Sequence, residues 1–390
     1  MGYSSGTVLS GYLSQIPSVS LTPFLSDMAA DKAVFSYGSL WGAKPEDTVK
    51  LIFSNELSTS IVSSEIKVTE VFDNMGSVVN SSRSVNTAYD PSGKFLSIDL
   101  SGSDWPKGSL FAVYYTSDSM KDINGLPVAG PATAYFTVIF DRNLENKALV
   151  IEDWTTNVRI PANTYNEDFF MPVSTSQDSA SVQTANRKME SLPGIIAKPV
   201  KVINAASFDS QGNSVQPIAK PLISLPYKDD DNNGMVDGIN PPARARNLSI
   251  WHLDEAKSMW VKQIGAVVDT GSRMVSLNVS HFSSYGLMAL PDTDVSAVYV
   301  YPVPFRPNAG NPARYGTWTD MITFTNLPSY GTIRIYTIRL ELVREINISS
   351  PPEMKWDVKN SAGEIVASGV YIWEVVVESN RKTGKLMVIK

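Results

Sequence analysis

The chain has 390 residues, contains no cysteine, and has only two histidines, His252 and His281. The absence of cysteine excludes disulfides, zinc–thiolate centres, iron–sulfur clusters and thiol catalysis. Two histidines cannot build a site from several imidazoles, and they leave few candidate bases for a serine triad. The sequence also lacks any run of the ~18 apolar residues that a membrane-spanning helix needs.

Charged residues are scarce as well, at 18% of the chain against roughly 25% in typical soluble domains. Lys and Arg total 33 and Asp and Glu total 39, which gives a net charge of −6. This negative balance argues against nucleic acid or an anionic membrane as a partner. Ser, Thr, Asn, Gly and Pro replace the missing charge, and these residues suit turns and strand surfaces.

Apolar and polar residues alternate with a period of two along many short segments. In residues 371–377, the side chains of Tyr371, Trp373 and Val375 share one face, and Glu374 lies on the opposite face, which should be wet. Asp, Asn, Gly and Pro clusters separate the alternating segments. The pattern predicts an all-β chain of tandem Ig-like β-sandwich domains. We expect one short helix, over residues 179–191.

Composition shifts and the Pro-rich run at 301–307 divide the chain into three units after an N-terminal segment. Residues 1–33 read as the remnant of a preceding element, because they match no complete unit. The start of the chain also lacks the basic and apolar regions of a signal peptide. We therefore expect the sequence to be a piece of a longer exported protein, with units at 34–141, 142–291 and 295–390.

The last unit carries the most specific motifs. It has Tyr-Pro-Val-Pro-Phe at 301–305, Trp-Asp at 356–357, Ser-Gly-Val-Tyr at 368–371 and Thr-Gly-Lys-Leu at 383–386. These motifs resemble those of the C-terminal sorting domains of type IX secretion substrates and of the Ig-like domain of the flagellar hook-cap protein. The resemblance implies a secreted or cell-surface protein in the cell outer membrane environment, with the outer-membrane secretion machinery as partner.

Two positions depart from the sorting-domain pattern. Leu340 stands where the family usually has a glycine, just before Glu-Leu-Val at 341–343. Val358 stands where a glycine often follows the Trp-Asp pair. At two other positions of the pattern the glycines are present, as Gly363 and Gly369, and we expect both to occupy turns with positive φ.

The two earlier units also resemble known families. The first, through residues 51–57, 105–108 and 121–127, resembles bacterial Ig-like domains of surface-layer proteins, which implies a spacer or adhesive module. The middle unit, through residues 158–164 and 279–285, is similar to the β-domain shared by ankyrins and netrin receptors, and bacterial exported proteins carry related domains.

Residues 229–237 read Asp-Asp-Asp-Asn-Asn-Gly-Met-Val-Asp. Oxygen ligands at positions 1, 3 and 5, glycine at 6 and an acid at 9 match a calcium loop. No bidentate Glu follows at position 12, which is Asn240, so the site would be a structural, calcium-stapled β-loop. A solvated turn of the same composition is the alternative. The predicted calcium ligands are Asp229, Asp231, Asn233, the carbonyl of Met235, and Asp237.

The triplet His281-Phe282-Ser283 lies in the region that is similar to the ankyrin and netrin-receptor β-domain. In autoproteolytic relatives of this domain, a serine attacks the preceding carbonyl with help from a histidine. The resemblance would make Ser283 the nucleophile and His281 the base of a single self-cleavage at the Phe282 carbonyl. The alternative is the end of a strand with Phe282 in the core. His252 is expected to be a surface or packed histidine.

No Gly-rich phosphate loop follows a strand and opens a helix, so we expect no enzyme. The sequence predicts the non-catalytic C-terminal part of an exported bacterial surface protein, with a C-terminal domain that directs secretion or cell-surface attachment. The alternative is an adhesin or surface-layer structural protein whose tandem Ig-like domains bind a glycan or a neighbouring protein.

Overall fold

The structure is a computed structural model, and it describes residues 23–58, 66–115, 120–129, 133–190, 199–239, 242–289 and 292–390. Strands dominate the regular structure, which confirms the prediction of a nearly all-β chain. The chain divides into two compact units. One comprises residues up to 71 together with 79–105 and 110–137, and the other comprises 72–78, 106–109 and 138–390.

The first ten strands of the described chain form a four-stranded sheet, ordered β1-β4-β8-β7, and a six-stranded sheet, ordered β2-β3-β10-β9-β5-β6. Their bounds are β1 (Leu25–Ala29), β2 (Val34–Ser36), β3 (Ser39–Ala43), β4 (Val49–Phe53), β5 (Ile66–Phe72), β6 (Val78–Arg83), β7 (Val85–Asp90), β8 (Phe95–Leu100), β9 (Leu110–Tyr115) and β10 (Thr133–Val138).

Alternation decides which face of the four-stranded sheet is buried. Val49, Leu51 and Phe53 of β4 are buried and the residues between them are not, as the period of two predicts. Strand β1 pairs antiparallel with β4. The segment 1–33, predicted as the remnant of a preceding element, therefore contributes a strand to this sheet. Residues 1–22 of that segment lie outside the described residues.

The second unit begins with strands that form two five-stranded sheets, ordered β11-β12-β17-β21-β20 and β14-β15-β22-β18-β19, and the pair β13-β16. Their bounds are β11 (Asn146–Leu149), β12 (Asn157–Ile160), β13 (Phe169–Phe170), β14 (Val173–Ser174), β15 (Lys201–Ala205), β16 (Phe208–Asp209), β17 (Leu222–Pro226), β18 (Leu248–Asp254), β19 (Met259–Lys262), β20 (Val267–Asp269), β21 (Met274–Asn278) and β22 (Ser284–Ala289).

A helix, α1 (Ala180–Glu190), lies where the sequence predicts one. Its apolar face, with Val182 and Met189, joins a buried cluster that includes Trp251 and Trp260 of the β18–β19 hairpin. The indole N–H of Trp260 donates to the Asn186 side chain at 2.8 Å. A helix with mostly polar residues is stable here because packing, rather than intrinsic propensity, holds it.

The C-terminal part of the second unit contains a three-stranded sheet, β23-β24-β27, and a four-stranded sheet, β26-β25-β28-β29. Residues of both sheets meet in one buried cluster, so the two sheets share a core. Phe324 and Trp373 contact each other across it edge to face, with ring centroids 5.9 Å apart. The bounds are β23 (Tyr299–Tyr301), α2 (Pro312–Tyr315), β24 (Ile322–Thr325), β25 (Thr332–Thr337), β26 (Leu342–Asn347), β27 (Met354–Trp356), β28 (Gly369–Val377) and β29 (Asn380–Val388).

Gly384 of the C-terminal motif is explained by the packing of the residue opposite it. It lies directly opposite Trp373 in the β28–β29 pairing. A Cβ at this position would lie 2.3 Å from the Cζ2 atom of the Trp373 indole, far inside van der Waals contact. The absent side chain therefore lets the indole lie against the backbone of β29.

Glu374 lies on the face of β28 opposite the core, and the prediction that this face is solvent-exposed is wrong at Glu374. Glu374 is buried, because two arginines from the neighbouring strands cover its carboxylate. Arg381 of β29 donates its Nε–H to Glu374 Oε1 at 3.0 Å, and Arg334 of β25 has a guanidinium nitrogen 3.9 Å from Oε2. Alternation identifies the face of a residue, but it cannot show whether long side chains on adjacent strands close over it.

The two departures from the glycine pattern both have left-handed backbone, with φ of 66° at Leu340 and 59° at Val358. The backbone at both positions therefore has the left-handed conformation that favours glycine, although neither residue is a glycine. Val358 is buried in the C-terminal core, whereas Leu340 is 69% exposed. Gly363 has the expected positive φ of 83°. The expectation for Gly369 is wrong, because this residue starts strand β28 and its φ is not left-handed.

We predict that Leu340→Gly raises the free energy of unfolding of the C-terminal sheets by about 0.5–1 kcal/mol. Glycine removes a left-handed penalty of about 1–2 kcal/mol, partly offset by the greater entropy of the unfolded glycine chain. Hydrogen exchange of the β28 amides, followed by mass spectrometry, measures the change.

Ile338→Gly is the matched control for this substitution. Ile338 lies in the same turn and is also 69% exposed, but its φ is not left-handed. The control should therefore lower stability, since glycine then adds only unfolded-state entropy. Equal effects of the two substitutions would contradict backbone strain at Leu340.

Candidate functional site

Asp229 opens the acidic loop, and it is only 7% exposed. Its Oδ2 accepts a hydrogen bond from the Gly234 backbone N–H at 3.2 Å. Its Oδ1 is buried and has no hydrogen-bond partner. The loop can close on itself in this way because Gly234 has a φ of 79°, which glycine adopts at no cost. One carboxylate oxygen thus holds the turn, and the other is left without a partner.

The other predicted calcium ligands belong to the same turn. Asp231 Oδ1 accepts the Asn233 N–H at 3.2 Å, and Asn233 Oδ1 accepts the Met235 N–H at 2.7 Å. Asp237 Oδ2 accepts the backbone N–H of Asp230 at 2.7 Å. These bonds collect the five predicted residues in one loop, with a hydrogen bond from Arg273 to Asn232 at its rim.

No group of three or more acidic or histidine side chains forms a metal-holding cluster within the described residues. The carboxylates of the loop are turned toward backbone N–H groups instead of toward one common point. Asn240, the residue at position 12, lies outside the described residues. Calcium binding therefore stays a prediction.

The two histidines of the chain meet. His252 Nε2 and His281 Nε2 are 3.0 Å apart, with ring planes at 81°. His252 lies on β18 opposite Tyr285 of β22, and the Tyr285 hydroxyl donates to the His281 carbonyl at 2.8 Å. The short distance fits a hydrogen bond in which one Nε2 donates and the other accepts. The expectation of a surface or packed histidine at position 252 did not include this pairing.

Burial lowers the pKa of His252 below its ordinary value of 6.5, and His281 lowers it further. Asp254 and Glu255 oppose this shift through their negative charge. The net direction favours a neutral His252, since a charged ring would be poorly solvated and would face a second imidazole.

No hydrogen bond joins His281 to Ser283 in the predicted self-cleavage triplet, and self-cleavage stays a prediction. The His281 ring is engaged with His252, and the Ser283 Oγ is buried without a hydrogen-bond partner. Phe282 is buried, and its N–H donates to the Gln216 side chain at 2.8 Å. A general base must lie within hydrogen-bond reach of the proton that it removes, and His281 makes no such bond to Ser283.

The turn between β25 and β26 exposes apolar side chains. Ile338, Leu340 and Leu342 are all exposed. Beside them lies an open groove of about 390 Å³, lined by Leu342, Glu341, residues 360–362 and Tyr371. Single exposed apolar residues are common, and here three of them lie within residues 338–342, with Leu340 at a left-handed φ.

The closing strand of the C-terminal part is held on both sides. It pairs with β28 along its length. On its other side, Phe305 donates its N–H to the Met387 carbonyl at 2.8 Å, and Ile389 donates to the Phe305 carbonyl at 2.9 Å. The Pro-rich motif and the closing motif of the sorting-domain resemblance are therefore neighbours in space.

Comparisons with known proteins give no match to a protein-family model and no match to a curated protein. Among solved structures, the chain is similar to PorZ, an essential bacterial surface component of the type IX secretion system of Porphyromonas gingivalis. The identity is 14%, over 92% of this chain and 59% of that chain, with a TM-score of 0.25.

The chain is also similar to the bacterial S-layer protein SbsC. The N-terminal part of SbsC is 13% identical over 56% of this chain and 42% of that one, and a longer SbsC structure is 10% identical over 95% and 54%. Both TM-scores are 0.22. TM-scores of this size do not establish a shared fold. The chain spans less than two thirds of each of these structures. In the described part of the chain, no helix has the length and apolar character to cross a membrane.

We predict that His252→Gln flattens the pH dependence of stability between about pH 7 and 5. The native pKa of His252 is below the unfolded one, so the unfolded state binds more protons in this interval. The contribution of His252 is fully present above pH 6.5 and is lost as the pH falls through the lower native value. Urea unfolding at several pH values measures the slope, and an unchanged slope in the variant would count against the prediction.

We also predict that the purified chain keeps its full mass over days at neutral pH, because the Ser283 hydroxyl has no base bonded to it. Intact-protein mass spectrometry checks this, with Ser283→Ala as the control. A break between Phe282 and Ser283 that appears in the wild type and is absent from the control would establish self-cleavage.

Proposed function

We propose that this chain is the non-catalytic C-terminal part of an exported bacterial surface protein. In this proposal, residues 295–390 form an Ig-like sandwich that directs secretion or attachment through the outer-membrane machinery. The observation that carries the proposal is the β25–β26 turn, with exposed Ile338 and Leu342 on either side of Leu340 at a left-handed φ.

The cost of that turn supports a role in recognition. A left-handed non-glycine residue costs about 1–2 kcal/mol, and an exposed leucine gains nothing from burial to offset it. Val358 has the same strain, but its side chain fills the core. Leu340 has no such compensation within the described residues. A partner that covers Leu340 and its two apolar neighbours would supply the missing burial.

The motif resemblance supports the choice of partner. The Tyr-Pro-Val-Pro-Phe and closing motifs, which resemble those of type IX sorting domains, meet at Phe305 and Met387. They build the frame of the C-terminal sheets and leave the β25–β26 turn free to contact a receptor. The frame therefore contains the motifs that resemble those of sorting domains, and the turn is the surface through which this chain would be recognised.

A second candidate function is an adhesin that binds a glycan. Tyr299 and Tyr301 are 62% and 40% exposed, and their rings stack with centroids 6.1 Å apart at 23°. Exposed aromatic rings of this kind offer apolar faces against which a sugar ring can pack. This observation favours binding by the C-terminal sheets themselves rather than recognition during export.

We predict that Ile338→Asp combined with Leu342→Asp blocks export in a host with a type IX system, because charge cannot be buried in an apolar receptor contact. Cell fractionation should find the variant in the periplasm, as it should for a chain lacking residues 295–390. Ile365→Asp, also at an exposed apolar residue of the C-terminal part but outside the turn and the quoted motifs, is the control and should leave export unchanged.

Circular dichroism and hydrogen exchange of the purified variants check that they are folded. Normal export of the folded double variant would contradict recognition through the turn, and normal export of the truncated chain would contradict the sorting function altogether. Under the adhesin function, Tyr299→Ala with Tyr301→Ala loses glycan binding on an array while export stays normal.

A further inference from the structure

Asp229 distinguishes the acidic loop from an ordinary polar turn. An exposed turn satisfies its carboxylates with water, but the Oδ1 of Asp229 is buried and has no hydrogen-bond partner. A buried carboxylate oxygen without a partner is energetically unfavourable, so such an atom calls for an explanation. The bond from Gly234 to Oδ2 fixes the carboxylate within the loop, with Oδ1 as its free ligand atom.

The loop backbone is joined directly to the segment that precedes β18. Met235 and Arg244 form an antiparallel bridge. On either side of it, Val236 donates its N–H to the Ala243 carbonyl at 2.9 Å, and Ala245 donates to the Gly234 carbonyl at 2.9 Å. The position of the Arg244 backbone therefore depends on the conformation of the loop.

The Arg244 side chain reaches the start of the C-terminal part. Its Nε bonds to Asp292 Oδ2, and its Nη2 donates to the Leu327 carbonyl at 2.9 Å. Asp292 is buried, and it exchanges two backbone-linked hydrogen bonds with Ser329, each 2.8 Å long. Arg244 thus connects the middle sheets to the linker residue Asp292 and to the turn after β24.

We propose that the loop 229–237 binds a calcium ion through Asp229, Asp231, Asn233, Asp237 and the Met235 carbonyl, and that the bound ion fixes the orientation of the C-terminal sheets through Arg244. The site and its coupling to Asp292 are independent of the secretion function proposed above.

Calcium suits this loop better than other common cations. The donors are all oxygens, and this disfavours zinc, which prefers nitrogen and sulfur ligands. Calcium accepts six to eight oxygens in flexible geometry, with water completing the shell, whereas magnesium demands a near-ideal octahedron. The adjacent carboxylates of Asp229, Asp230 and Asp231 repel one another, and a divalent cation offsets that repulsion. Binding requires Asp231 and Asp237 to turn from backbone N–H groups toward the ion.

Isothermal titration calorimetry with calcium chloride on the EDTA-treated, dialysed full chain tests the site. We expect a dissociation constant on the order of 10⁻⁴ M, as in extracellular calcium modules, and at least tenfold weakening in Asp229→Asn. Asp209→Asn is the matched control, because Asp209 also accepts backbone N–H groups of its own turn, from Gln211 and Asn213, and it should leave the affinity unchanged.

Hydrogen exchange with and without calcium tests the coupling. Calcium should slow exchange at the Asp292 and Ser329 amides several-fold in the wild type and have no such effect in Asp229→Asn. In Arg244→Gln, calcium should still bind, but protection of Asp292 and Ser329 should no longer respond to it.

The absence of binding heat at millimolar calcium would overturn the site and leave an ordinary polar turn. Unchanged affinity in Asp229→Asn would overturn the ligand assignment. Binding without any change in exchange at Asp292 and Ser329 would overturn the coupling. All of these results are separable from the export assay, which does not use these variants.

Discussion

Face-to-face burial of two sheets is the constraint on which the C-terminal part of this chain depends. Each strand is short and offers one apolar face, so the core exists only where two such faces meet, as at Phe324 and Trp373. Large aromatic side chains bridge the gap, and backbone pairing supplies the hydrogen bonds. The β25–β26 turn, which we propose as the recognition surface, lies on a loop that this frame leaves exposed.

Strands and helices that bury one face against the core are predicted well from the sequence, because burial of one face produces a periodic pattern of apolar residues. The alternation along β4 and β28 predicts both strands, and α1 lies within the segment predicted as a helix. Strands β6 and β7 are harder to predict, because neither has a fully buried face and their apolar residues, such as Val78 and Val79, are exposed or half-buried. The His252–His281 pair could not be predicted either. It depends on β18 pairing with β22, and the register of two distant strands is not written in the residues of either one.

Leu340 and Val358 both stand where the family pattern has glycine, and both have a strained backbone, but they differ in burial. Val358 pays for its left-handed φ with a fully buried side chain, so glycine there would remove strain and core packing together. Leu340 has the same backbone without the burial. A sequence comparison alone would treat both as departures of equal weight, and only their exposure distinguishes a structural compromise from a surface that a partner could cover.

The contact between Gly384 and Trp373 makes the sizes of two facing residues interdependent. Because the indole occupies the space of the missing Cβ, any enlargement at 384 requires a smaller ring at 373, or none. Related chains should therefore change these two positions together or not at all. A covarying small–large pair across the last two strands would mark this architecture in relatives too distant for overall identity to reveal.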